Sequence, residues 1–368
     1  MSNSQNRAML NKVNPSFWQG KQVFLTGHTG FKGGWLSLWL TSMGAKVTGY
    51  ALAPNTAPSF FEVVGVANLL EQNHIADIRD LLSLKLAMEQ ANPGVMIHMA
   101  AQPLVRSSYE DPVGTYSTNV MGTVNVLEVA RKIPSIQSIV VVTTDKCYEN
   151  KEWLWGYREN EPLGGADPYS SSKACAELVT TTYHQSFFSG NVATSSAALA
   201  SARAGNVIGG GDWSIDRLMP DVLTAFESNS PLVLRNPLAT RPWQHVLEPL
   251  SGYLVLAQAL FALGNEFAGA WNFGPNDEGN KTVQEVVDLL GRLWGSNAGW
   301  QQDPNVQPHE AHLLKLDCSK AHQQLGWSPK WSLEQSIEKI VRWHQSFKAG
   351  KDMRQISLEQ IQLYCDSV

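Results

Sequence analysis

The stretch VFLTGHTGFKGGW, Val23 to Trp35, restricts the possible folds more than any other part of the chain. A short apolar run ends in a turn carrying Gly27, Gly30 and Gly33, and a helical pattern of apolar residues follows at once. Glycine permits positive φ and lets a backbone approach a ligand closely, while a helix N-terminus presents N–H donors to an anion. A bare glycine triplet also makes ordinary turns. The strand–turn–helix setting is what points to the pyrophosphate of a dinucleotide. His28 and Lys32, in the same loop, read as exposed loop residues.

The rest of the first half repeats this alternation. KQVFLT, AKVTGYAL, GVMIHMA and IVVVTTD read as strands, and GGWLSLWLTSM, IRDLLSLKLAMEQ and DPVGTYSTNVMGTVNVLEVARK carry helical spacing between them. Such alternation predicts an α/β protein, a Rossmann-type doubly wound parallel sheet, with a smaller C-terminal substrate-binding domain. Residues 1–20 form an N-terminal extension and 21–205 the nucleotide-binding domain, with a return segment near 245–275. Residues 206–368 make up mainly the substrate-binding part. There GNVIGGGDWSIDRLMPD and RNPLATRPWQHVLEP read as loops shaping a pocket, and KTVQEVVDLLGRLW and SLEQSIEKIVRWHQSFK as amphipathic helices.

Composition narrows the function classes. With 43% hydrophobic and 17% charged residues the 368-residue chain has the makeup of an ordinary globular protein, and its net charge of -5 offers no basic field to nucleic acid or an anionic membrane. The N-terminal residues lack a signal-peptide apolar core, and YLVLAQALFALG is too short to span a bilayer and reads as a buried helix. A cytoplasmic enzyme or binding protein is expected. Cys147, Cys175, Cys318 and Cys365 form no CxxC, and PHEAH (His309, Glu310, His312) lacks metalloprotease spacing, so no metal is expected.

The strand IVVV ends in TTDKCYEN, placing Thr144, Asp145 and Lys146 at a strand's C-terminal end, where open α/β sheets bind ligands. Cys147 beside them reads as a packing residue. Farther on, DPYSSSKACAELV holds Tyr169 and Lys173, four apart and so on one helical face. An ammonium beside a phenol favours phenolate, which can take a hydroxyl proton while hydride leaves the adjoining carbon. Taken alone, a surface Tyr and Lys would fit the same spacing.

The GxxGxxG loop and the YxxxK helix together resemble the extended short-chain dehydrogenase/reductase family. The resemblance implies a dinucleotide held by Gly27, Gly30, Phe31 and Gly33, with Asp77 and Ile78 of IADIRD at its adenine and Ala100, Ala101 and Gln102 of HMAAQ along it. It gives Lys173, next to Tyr169, the nicotinamide ribose, and gives Asn119 a helix bend or water chain, a solvated helix asparagine being the alternative. The second strand ends without a carboxylate and without an arginine for a 2′-phosphate, and NAD is preferred over NADP.

TDKCYEN is similar to the Thr-Asp-Glu of nucleotide-sugar 4,6-dehydratases, with Lys146 in place of glutamate. Such enzymes oxidise C4 of a hexose, remove the C5 proton, expel the C6 hydroxyl as water and return hydride to C6. Asp145, held protonated, is the donor to the leaving hydroxyl. For the C5 proton, Lys146 as base, or Lys146 beside the enolate with water or Tyr148 taking the proton, stay open. The lysine after Asp145 and the GGGDW segment resemble the CDP-sugar branch, which implies CDP-glucose as substrate. Arg106, Arg203, Asn206, Arg217, Arg235 and Arg241 are the candidates for its anionic part, some of them bystanders, with Arg241 and Asn206 foremost by resemblance. Trp213 and Trp243 either wall the pocket or pack in the core. The family pairs its subunits through two helices each, here those of Asn119 and Tyr169, implying a homodimer or homotetramer. A nucleotide-sugar 4-epimerase, a dehydratase of another nucleotide sugar, and a non-catalytic NAD sensor are the rival readings.

Overall fold

The computed structural model describes residues 11–189, 195–228, 230–295, 300–305 and 313–367; His309, Glu310 and His312 lie outside them. Its centre is a seven-stranded sheet. The strands are β1 (Gln22–Thr26), β2 (Lys46–Ala51), β3 (Gln72–Ile75), β4 (Val95–His98), β5 (Ser138–Val142), β6 (Ala198–Ala204) and β7 (Gly269–Phe273). They run in the order β7-β6-β5-β4-β1-β2-β3, every pair parallel. Parallel sheets are covered on both faces, so their inner strands are apolar throughout. β4, β5 and β6 are accordingly buried at every position. β3, with the polar sequence QNHI, is only half-buried at the sheet edge, and its apolar signal was too weak to be read from sequence.

Helices α1 (Phe31–Ser42), α2 (Leu81–Ala91), α3 (Gly122–Ala130), α4 (Pro168–Tyr183), α5 (Leu247–Leu263) and α6 (Met353–Asp366) cover the two faces. Trp35 and Trp39 of α1, Leu250 and Leu254 of α5 and Tyr364 of α6 share one core cluster with Trp271 of β7. Leu84 and Met88 of α2 join Val126 and Leu127 of α3 against Phe24 and Ile139 on the opposite face. α5 packs under the sheet and β7 completes it. The helical stretch Leu247–Phe267 spans 21 residues, long and apolar enough by length and composition to cross a membrane, with 78% of its apolar window buried inside the protein. It exceeds the twelve-residue run read from sequence because Leu247, Pro249 and Leu250 extend the apolar stretch.

Beyond β6 the two supposed loops contain regular structure. Asn206–Ile208, Thr240–His245 and Asn280–Thr282 form a three-stranded sheet, and Leu218–Glu227 is a helix. Ile208, Trp243, Phe226, Val286 and Ile340 close a second, smaller core there. Glycine, proline and arginine at the cleft edge masked these short strands. In the main sheet Thr26 pairs with His98, and His98 with Val141, so β1, β4 and β5 end level. The strand order reverses between β1 and β4, which is where an open α/β sheet offers a crevice.

Candidate active site

A cleft of about 740 Å³ opens at those strand ends, and Gly27, Gly30, Phe31, Gly33, Asp77, Ile78, Ala100, Ala101 and Gln102 all line it. Gly27 has φ +80°, and a Cβ there would lie 2.7 Å from the Ala100 nitrogen. A Cβ on Gly33 would lie 2.0 Å from the Gly27 carbonyl oxygen. At Gly30 the nearest protein atom would be 3.5 Å away, ordinary contact, so the fold itself does not demand glycine there. No side chain caps the N-terminus of α1 at Gly30. This glycine cradle, at a helix N-terminus without a side-chain cap, fits a dinucleotide pyrophosphate. Ala51, Leu52, Ala53 and Asn55 line the cleft after β2, where no carboxylate stands. Gly33→Ala should therefore destabilise the fold by roughly 1–3 kcal/mol through overpacking and weaken NAD binding as the cradle opens. Thermal unfolding and an NAD titration check both; unchanged values in both would refute the tight cradle.

Two loop residues are not where the sequence put them. His28 is fully buried, its Nε2 2.7 Å from Asn73 Oδ1, because β3 closes over it. Lys32 turns into the cleft and donates to Tyr253 Oη at 3.4 Å. Burial lowers its ammonium to about 7, with the cations of Lys173 and Arg217 acting in the same direction. Neither was legible locally, since each is covered by an element distant in sequence.

At the end of β5, Thr144 caps the turn Asp145–Cys147, accepting from the Lys146 nitrogen at 3.3 Å and donating to Asp145 Oδ1 at 3.1 Å. Asp145 is buried and its Oδ2 has no hydrogen-bond partner among the described residues. Burial pushes its carboxyl up; Lys146, Thr144 and Arg241 pull the other way and do not overcome it. Tyr169 starts α4, whose N-cap Asp167 accepts from the Ser170 nitrogen and whose Pro168 presets the first turn. Thr144 lies close enough to its phenol to favour its ionisation. Lys173 is buried behind it and donates to the Val142 carbonyl at 3.2 Å.

Sequence spacing alone predicted a lowered Tyr169. Instead burial pushes the phenol up to about 12, with Thr144 and the Arg217 cation acting against the rise. Burial lowers Lys173 to about 8 while the Glu177 carboxylate holds it up. Lys146 lines the cleft beside Asp145. Tyr148 does not: it is buried and donates to Asn272 Oδ1 at 2.7 Å, which removes it as a carrier of the C5 proton. Cys147 is fully buried and its thiol pushed well up by that burial.

Asn119 sits in a π-turn, Ser117–Met121, and is 1% exposed, so the solvated reading fails. It accepts from the Gln102 nitrogen at 2.8 Å and donates to Ser172 Oγ at 2.8 Å, tying the cleft wall to α4.

Of the six anion-binding candidates, Arg106, Asn206, Arg217, Arg235 and Arg241 line the cleft. Arg203 does not, because its strand is buried throughout and its guanidinium is paired at 2.7 Å with Glu177. Asp216, missed in the sequence, stands 3.3 Å from Arg106 and 3.6 Å from Arg235 at the cleft wall, with φ +57° as the only local sign of its special place. Trp243 lines the cleft and donates to the Lys281 carbonyl, whereas Trp213 packs against Trp343 and Phe347. Among the described residues no cluster of three or more His, Cys, Asp or Glu side chains is placed to hold a metal.

The family model described as GDP-mannose 4,6 dehydratase matches residues 24–340. The chain is 56% identical to the CDP-glucose 4,6-dehydratase of Salmonella typhimurium over 353 residues, 96% of this chain and 98% of that protein. It is 25% identical to the dTDP-glucose 4,6-dehydratase of Xanthomonas campestris, over 87% of this chain and 92% of that one. Among solved structures, the dTDP-glucose 4,6-dehydratase DesIV of Streptomyces venezuelae, with NAD and TYD bound, superimposes with a TM-score of 0.76 at 22% identity, covering 90% of this chain and 98% of DesIV. The UDP-glucose 4-epimerase of Thermotoga maritima does so with a TM-score of 0.77 at 20% identity, covering 89% and 99%. The fold is therefore common to dehydratases and epimerases and does not separate them.

Proposed function

The chain belongs to the GDP-mannose 4,6 dehydratase family, within the extended short-chain dehydrogenases/reductases, and on that premise we propose that it is an NAD-dependent lyase converting CDP-D-glucose to CDP-4-dehydro-6-deoxy-D-glucose and water. The observation that carries the chemistry is Asp145: a buried carboxyl with one unpartnered oxygen, beside Thr144 and in the same cleft as Tyr169. A 4-epimerase has no use for such an acid, whereas expulsion of a hydroxyl needs one.

When bound, NAD supplies the hydride acceptor for C4 of the hexose and then the hydride donor for C6. Tyr169 takes the C4 hydroxyl proton, and Thr144 orients that hydroxyl by hydrogen bonding. Once C4 is a ketone, the C5 proton is acidic; Lys146 is the cleft side chain that handles it, and a proton returns to C5 as hydride reaches C6. Asp145 then protonates the C6 oxygen, which leaves as water. Arg241, Asn206, Arg217, Arg235 and Arg106 face the cleft where two phosphate charges can be met by guanidinium groups. The product, a 4-keto-6-deoxy sugar, suits the synthesis of 6-deoxy and 3,6-dideoxy sugars for a bacterial polysaccharide such as O-antigen.

Val113, Met121 and Leu178, on the helices of Asn119 and Tyr169, are 78%, 53% and 56% exposed, and a second copy meeting them would form a four-helix contact. Sedimentation showing a monomer would sink that part. For the activity itself, the protein and NAD are incubated separately with CDP-, dTDP-, UDP- and GDP-glucose and the products weighed. Loss of one water from CDP-glucose, at a rate well above the others, is expected. Absence of water loss from all four would overturn the reading.

A further inference from the structure

One turn beyond Lys173, α4 carries a second ionisable side chain that the proposed chemistry does not use. Glu177 is 1% exposed. Its Oε1 accepts from Thr143 Oγ1, and its Oε2 accepts from Ser201 Oγ at 2.7 Å and from Arg203 Nη2 at 2.7 Å. Arg203 in turn donates through Nη1 to Tyr148 Oη at 2.8 Å and to the Glu159 carbonyl at 3.1 Å, and its guanidinium lies 4.8 Å from the centre of the Tyr148 ring. Tyr148 passes the chain on to Asn272 of β7.

Stability alone does not explain this arrangement. Removing two charges from water costs several kcal/mol per ion, and apolar residues of similar volume commonly serve a core as well or better. What the pair does that apolar residues cannot is join three catalytic supports with fixed charge. Thr143 immediately precedes Thr144, Asp145 and Lys146; Glu177 shares α4 with Tyr169 and Lys173; Ser201 and Arg203 belong to β6, next to β5 in the sheet.

We infer that Glu177, held in place by Arg203, is a positioning residue: it clamps the end of β5 against the helix that bears Tyr169 and fixes a carboxylate one helical turn from Lys173. The inference rests on the dehydratase reading for its kinetic consequences, not for its electrostatics. The charges that reach Lys173 are those of Glu177 on its own helix, Cys147 from the turn after β5, His98 from β4 and Lys32 from α1. Burial raises the Cys147 thiol well above its ordinary value and, with the Lys173 cation, lowers His98 to about 3, so both are neutral near pH 7. Lys32 opposes a second cation. Glu177 is thus the anion that sustains the charge on Lys173. Without it, burial lowers Lys173 further, toward the neutral amine near pH 7, and the ammonium one helical turn from Tyr169 is lost.

Two variants separate positioning from mere support. Glu177→Gln keeps the side-chain shape but leaves the Arg203 guanidinium buried without its carboxylate, so it is paired with the double variant Glu177→Leu/Arg203→Met, which leaves no buried charge behind. In either folded protein the acid limb of kcat is expected to move up by roughly one pH unit, with turnover at pH 7 down about tenfold. Glu177→Asp, which retains the charge, should keep the parent's limb. The ionisation of Tyr169, read by ultraviolet difference titration against a Tyr169→Phe background, should shift the same way. A double variant whose acid limb and phenol titration match the parent's would overturn the inference and leave the pair a structural one. Parent enzyme that fails to dehydrate CDP-glucose would indict the functional reading, while the phenol titration would still decide the role of Glu177.

Discussion

Replacing Tyr169 by phenylalanine is expected to lower kcat by about 10³-fold, within the 10²–10⁴ range of a positioned general base, while the affinity for CDP-glucose changes little. The Tyr169 side chain is 8% exposed, and the ring fills its place whether or not it carries oxygen. What phenylalanine removes is the group that takes the C4 proton. Because burial pushes that phenol up to about 12, most of it is protonated at neutral pH, and the parent's rate should climb with pH on its acid side. The climb should vanish in the variant. Steady-state kinetics and equilibrium binding of the sugar nucleotide check both; a kcat within tenfold of the parent would remove Tyr169 from the reaction.

Asp145→Asn should interrupt the sequence at a different place. Asparagine keeps the size of the side chain and its contact with Thr144 but has no proton for the C6 oxygen. Dehydration is expected to slow by about 10²–10⁴-fold, while C4 oxidation and loss of the C5 proton continue. The 4-keto hexose should then accumulate with its C6 hydroxyl intact and its C5 hydrogen exchanging with deuterated water. Product mass and proton NMR distinguish this from a general loss of activity. In the parent, burial raises the Asp145 carboxyl above its ordinary range. Its proton is present below that raised value and lost above it, so dehydration should fall on the alkaline side. If the variant formed dehydrated product at the parent's rate, the acid would have to be another group.

The large sheet was legible because parallel strands buried on both faces leave continuous β-branched runs, as in IVVV and VFLT. The glycine cradle and the Tyr169–Lys173 pair were legible because each is encoded within one turn of chain. What escaped depended on residues far apart in sequence. Lys32 reads as exposed until Tyr253 of α5 closes over it, and His28 until the edge strand β3 does. Arg203 was misread as a phosphate ligand, although its strand ALASARA is buried throughout and so leaves an arginine facing the core, in need of an internal carboxylate. That carboxylate, Glu177, carries no local mark beyond its helical spacing from Lys173. The ionisation of Tyr169 was misjudged for a related reason: i,i+4 spacing reports which groups share a helix face but not how deeply they are buried.

The central claim is that one cleft oxidises C4, eliminates water across C5 and C6, and returns the same hydride to C6. Incubation of the protein with NAD and CDP-glucose deuterated at C4 tests it most directly, by the mass and the deuterium position of the product. The account predicts a product lighter by one water that keeps its deuterium, now at C6. A product of unchanged mass, or one that has lost water but carries no deuterium at C6, would contradict it.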